Sequence, residues 1–199
     1  MIDIIYLPWI FVVGYLHTLC VSYTTERAEK YLTFPYSPLP DILQEKLPTI
    51  DIKTPDKLLF LSVLYTVSNV VWNQKYGIVN DEIVSLLCIF TIRPLFCSLT
   101  ILPSCMPKPK KVSVYVDLFL STHDLMFSGH TCFFIFMSKI INEPIGYIIG
   151  YIIGYILPIS LIMSKVHYSI DVFVSMFIYN YIDLLLKTEL QNDCNSILQ

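Results

Sequence analysis

Six runs of apolar residues, several close to twenty long, constrain this chain more than any other feature. They are Ile4 to Tyr23, Leu58 to Trp72, Ile83 to Leu102, Phe127 to Ile141, Ile145 to Met163 and Ile170 to Leu186. A helix needs about 20 apolar residues, at ~1.5 Å each, to cross roughly 30 Å of hydrocarbon. The bilayer core offers backbone groups no water, so a chain crosses it as helices or as a closed barrel. Runs of this length predict an all-α integral membrane protein. The expected architecture is one membrane domain over residues 1–199, a bundle of six transmembrane helices with a polar tail over 187–199. With 55% hydrophobic and only 15% charged residues, the bilayer is the solvent such a chain suits.

The same composition excludes several function classes. The 13 basic and 16 acidic residues leave a net charge of -3 and form no dense basic stripe, so no nucleic-acid partner is expected. The cysteines at 20, 88, 97, 105, 132 and 194 make no C-x-x-C pair and mostly sit in apolar runs, where Cys behaves as a small hydrophobe. Neither a disulfide framework nor a zinc site is implied. Without a Gly-rich phosphate loop, dinucleotide fingerprint or metal cluster in the sequence, the chemistry is expected to need no metal and no cofactor. The first run lacks a basic n-region and a small-residue cleavage site, which predicts a retained span rather than a signal peptide.

Short polar breaks at Gly77-Asn80-Asp81 and Asn142-Glu143-Pro144 predict tight helical hairpins between spans two and three and between spans four and five. The longer Thr24 to Lys57 and Pro103 to Met126 connections are Pro- and Lys-containing and gather on one side. In span five, Gly146, Gly150 and Gly154 recur every four residues. That makes a smooth stripe for close helix packing, a sterol or lipid contact being the sharper alternative.

Two segments carry chemistry: Phe127-Ser128-Gly129-His130-Thr131 at the start of span four and His167-Tyr168-Ser169-Ile170-Asp171 at the start of span six. Two crossings separate them, which returns the chain to the same face and lets His130 and His167 meet across 37 positions of sequence. His167 and Asp171, four apart, share a helix face. A carboxylate there fixes the tautomer of the ring and leaves the other nitrogen as a nucleophile. A second imidazole across a narrow gap then serves as general acid and base. Either motif alone would suit mere capping; the two together on one face point to catalysis. His17 and His123 are read as structural.

These segments, Ser-Gly-His-Thr at 128–131 and His-Tyr-Ser-x-Asp-Val at 167–172, resemble the paired signatures of the sphingomyelin synthase family, a branch of the type 2 phosphatidic acid phosphatase superfamily. Pro38-Leu39-Pro40-Asp41 and Arg93 followed by Thr100-Ile101-Leu102-Pro103 agree in order and position. The resemblance implies the six-helix fold of that superfamily and a two-step exchange. His167 attacks the phosphorus of a phospholipid, diacylglycerol leaves, and a ceramide or diacylglycerol hydroxyl takes the phosphocholine or phosphoethanolamine headgroup. It casts Asp171 as the partner of His167, His130 as acid then base, and Asp124, Arg93, Ser128, Tyr168 and Asp41 as substrate contacts. Two departures stand out: Thr122-His123 replaces the usual Cys-Gly, and the Pro103 to Asp124 connection is short.

Hydrolytic members of the superfamily carry further cations where this chain has Leu86 and Leu161, and only Arg93-Pro94 is kept. A phosphomonoester carries nearly two charges and a phosphodiester one, so fewer cations suit headgroup transfer from a diester. Arg93 lies within span three, where a charge is a functional hypothesis by default, with a paired structural arginine as the alternative. A lipid phosphatase or phospholipase C-like hydrolase and a non-catalytic lipid-binding protein are the rival functions. The resemblance implies Golgi, endoplasmic reticulum or plasma membrane with a luminal or extracellular reactive face. The lysine-rich reactive loops, by the positive-inside tendency, imply the cytosolic face. Self-association into a homo-oligomer stays open.

Overall fold

The computed structural model describes residues 4–31, 38–100, 102–103, 105, 126–141 and 144–197. Among them every regular element is a helix. In order these are α1 (Leu7–Tyr31), α2 (Ile42–Lys46), α3 (Thr54–Asn73), α4 (Tyr76–Leu99), α5 (Gly129–Ile140), α6 (Pro144–Tyr151), α7 (Ile159–Met163) and α8 (Ser169–Ile197), with a π turn at Ile152–Ile156 joining α6 to α7.

The core is built around the shortest of the long elements. In α5, Thr131, Cys132, Phe134, Ile135, Phe136, Met137 and Ile140 are all buried, and α3, α4, α6 with its π turn, and α8 pack around it. An α5 of 12 residues spans only about 18 Å, so it is a buried central post rather than a lipid-facing helix. Its neighbours present the reverse pattern: Phe60, Leu64, Phe177 and Leu184 are exposed, as suits hydrocarbon. On α4, Glu82, Ser85, Ile89, Arg93 and Cys97 form the buried stripe, at helical spacing and with a charge near either end.

Among the described residues four helices are long and apolar enough to cross a membrane: Leu7–Ala28, Tyr76–Leu99, Gly146–Met163 and Ser169–Glu189. The six crossings expected from the sequence are thus met by four on this measure. α3 has the length, but Ser62, Thr66, Ser68 and Asn69 dilute its hydropathy; α5 has the hydropathy without the length.

The glycine stripe is a packing device. A Cβ at Gly154 would lie 2.6 Å from Ser138 Oγ and 2.8 Å from its Cβ, and one at Gly150 would lie 3.0 Å from the Ser138 carbonyl oxygen. At this point the π turn, closed by Leu157 N–H donating to Ile152 O at 2.9 Å, passes α5.

Candidate active site

The starts of α3, α5 and α8 and the end of α4 lie at one end of the bundle, and the two histidine segments meet there. The His130 and His167 ring centroids are 6.4 Å apart with an interplanar angle of 61°.

His167 is buried just ahead of α8, its Nδ1 3.3 Å from Asp171 Oδ2. The same carboxylate oxygen accepts the Tyr168 N–H at 3.0 Å. Asp171 sits at the third position of the helix and so satisfies an orphan N–H of the helix start while orienting the imidazole. His130, in the first turn of α5, places Nε2 3.0 Å from Asp56 Oδ1. Asp56 belongs to the first turn of α3, ahead of its apolar run, and the hydrogen bond from His130 outweighs partial burial to hold its carboxyl below the usual range. Each imidazole thus has its own carboxylate.

A hydroxyl joins the two motif segments. Ser175 Oγ donates to Asp171 O at 2.6 Å and accepts the Ser128 N–H at 2.7 Å. Ser128 is itself the N-cap of α5, its Oγ accepting Thr131 N–H at 3.2 Å. Arg93, buried on α4, donates from Nε to Phe127 O at 3.0 Å, and its Nη1 lies 2.7 Å from His17 Nδ1. The guanidinium therefore grips the backbone that leads into Ser-Gly-His. His17, read as structural from the sequence, is its partner from α1.

A strap over residues 38–50 holds the His167 segment from outside. Asp41 caps α2 by accepting Leu43 N–H at 3.0 Å and Gln44 N–H at 3.2 Å. Its other oxygen accepts the Ser169 N–H at 2.6 Å, serving α8 as a cap supplied from a distant segment. Burial opposes ionisation of Asp41, but these backbone N–H groups outweigh it and hold the carboxyl below its ordinary range. Gln44 Nε2 donates to His167 O at 2.9 Å. The Tyr168 hydroxyl accepts Leu39 N–H at 3.0 Å and donates to Pro103 O at 2.9 Å, and burial pushes the phenol up to about 12, so it stays a proton donor at neutral pH. Asp41 and Tyr168, expected at the substrate, are both engaged in holding backbone, and Ser128 caps α5.

Asp124 and His123 lie outside the described residues, as does most of the Pro103 to Met126 connection. Among the described residues no three His, Cys, Asp or Glu side chains come together as a metal site requires. Leu86 and Leu161 pack in the apolar core, Leu161 wholly buried against Ile162 and Val172. Sequence reasoning missed Asp56 and Ser175. A carboxylate opening an apolar helix at Pro55-Asp56, and a serine one turn beyond Asp171 in an apolar run, were the available signals.

No curated protein matches the chain. Residues 122–187, about a third of it, match the family model described as PAP2 superfamily C-terminal. That segment carries His130, His167 and Asp171. The match supports the type 2 phosphatidic acid phosphatase superfamily, whose members are lipid phosphatases or phosphotransferases, without reaching to one branch of it.

Proposed function

We propose that this chain is a lipid headgroup transferase similar to the sphingomyelin synthases, moving phosphocholine or phosphoethanolamine from a glycerophospholipid to ceramide. The observation that carries the reading is the pair of carboxylate-backed imidazoles with centroids 6.4 Å apart, a gap of the right order for a phosphorus centre and its entering or leaving oxygen.

Asp171 accepts the hydrogen bond of His167 Nδ1–H, so that Nε2 presents its lone pair to phosphorus. As the N–P bond forms, the P–O bond to diacylglycerol breaks, and His130 delivers a proton to the leaving alkoxide. Asp56, bonded to His130 Nε2, holds that ring in place and leaves its Nδ1 to face the leaving oxygen. In the second half His130 takes the proton of the ceramide hydroxyl, whose oxygen attacks phosphorus as the N–P bond breaks. Water in place of ceramide would give hydrolysis, the rival reaction. The apolar packing of Leu86 and Leu161 supports a singly charged diester substrate over a doubly charged monoester.

Asp56→Asn is expected to lower the rate about 10- to 100-fold with the protein still folded, because Asp56 is exposed and its loss leaves no buried charge. Conversion of fluorescent ceramide by membranes of the two proteins measures it. Equal rates would remove Asp56 from the mechanism.

In this reading α3 and α5 complete six crossings, since alternation of chain direction needs both. The reactive face is luminal or extracellular, in Golgi, endoplasmic reticulum or plasma membrane. Lysines near a phosphate-handling mouth have a local reason to be there. On the opposite side, Lys139 and Lys187 are paired with Asp183, and Lys187 also with Glu82. In sealed vesicles whose luminal or extracellular face is outward, protease should cut the Pro103 to Met126 connection without lysis; cutting only from the cytosolic side would reverse the orientation.

A further inference from the structure

Among the described residues only Gln74 and Lys165 combine a side chain with positive φ. Gln74, at φ 53°, ends α3 at the far end of the bundle; Lys165, at φ 58°, stands two residues before His167. The turn around Lys165 is a complete helix stop. Its N–H donates to Ile162 O at 3.0 Å, and the Val166 N–H donates to Leu161 O at 3.1 Å, the paired bonds of a Schellman motif with Lys165 at the position that glycine ordinarily fills. Leu161 O also accepts the His167 N–H at 3.3 Å, so this turn sets where His167 begins. A lysine there carries a steric penalty that glycine would not. Packing does not offset it: the side chain is exposed, and its ammonium has no hydrogen-bond or ion-pair partner among the described residues.

We infer that Lys165 is a binding residue for the phosphodiester headgroup that His167 attacks. Residues two apart bring their Cα atoms within roughly 7 Å, and a lysine stem reaches about 6 Å, so the ammonium can meet an anion held at the imidazole. One cation matches the single charge of a diester. Arg93 already donates to Phe127 O and lies against His17, at the backbone that leads into Ser-Gly-His.

This assignment rests on the headgroup reading, and its test separates the two. Full-length protein carrying His167→Ala, so that nothing turns over, is titrated in non-ionic detergent with dihexanoyl phosphatidylcholine and, separately, with dihexanoylglycerol. Adding Lys165→Gly should weaken the phosphatidylcholine about tenfold and leave dihexanoylglycerol unchanged, and Lys165→Arg should keep affinity within about twofold. The glycine also relieves the positive φ, so Tm should not fall, which separates lost charge from lost structure. Equal phosphatidylcholine binding with and without the Lys165→Gly substitution, a parallel loss for both lipids, or no preference for the phosphate-bearing lipid in the parent each overturns the assignment. If His167-containing protein transfers and hydrolyses nothing while phosphodiester binding still depends on Lys165, the reaction reading falls and the binding residue stands.

Discussion

Alanine in place of His167 is expected to reduce headgroup transfer by about a thousandfold or more, because a covalent route has no substitute nucleophile. Asp171→Asn should follow at about 100- to 1,000-fold, since an amide keeps the shape but loses the charge that favours the right tautomer. Asp171 is wholly buried and bonded to both His167 Nδ1 and Tyr168 N–H, so the asparagine also disturbs the first turn of α8. Lipid mass spectrometry of membranes with matched protein levels reads both variants. Activity of the alanine protein within tenfold of the parent would end the mechanism proposed above.

The largest stability effect is expected at the opposite end of the bundle. There Asp183 of α8, 3% exposed, accepts from Lys139 of α5 at 3.1 Å, from Lys187 at 2.9 Å and from Ser85 of α4 at 3.2 Å, while Glu82 of α4 binds Lys187 at 2.7 Å. One carboxylate thus ties together the three helices that bear Arg93, His130 and Asp171. Removing a member of a buried pair costs about 3–5 kcal/mol when the partner is stranded. Here the lysine side chains are 29% and 46% exposed and can turn to water, so Asp183→Asn should cost about 2–3 kcal/mol. In a chain of this size that is a fall in Tm of about 5–10 °C. An unchanged Tm in a detergent thermal-shift measurement would show that the cluster merely coats the interface.

How much of the site was legible depends on what each residue needed. His130, His167 and Asp171 came from two readings that need no coordinates, the i, i+4 spacing of the pair and the two crossings expected between the histidines, and the structure places the two imidazoles 6.4 Å apart. Asp56 could not be found that way. Its partner is 74 positions off, and only the packing of α3 on α5 decides that this carboxylate, among several in the loops, reaches Nε2 of His130. Asp41 and Tyr168 show the converse: the motifs drew attention to them, but their polar atoms serve the backbone of α8 and the strap. The crossing count is limited for a different reason. Hydropathy along the chain marks α5 as apolar without telling a buried post from a lipid-facing span, because both environments favour the same side chains.

By itself the sequence determined an all-helical membrane protein and the i, i+4 pairing of His167 with Asp171, because hydropathy and helical spacing are properties of segments read one at a time. The tertiary structure alone decided that Asp56 serves His130, that Ser175 links the two motifs, and that Arg93 holds Phe127. Those outcomes depend on how each helix is rotated about its axis and how deep it sits, and only mutual packing sets these.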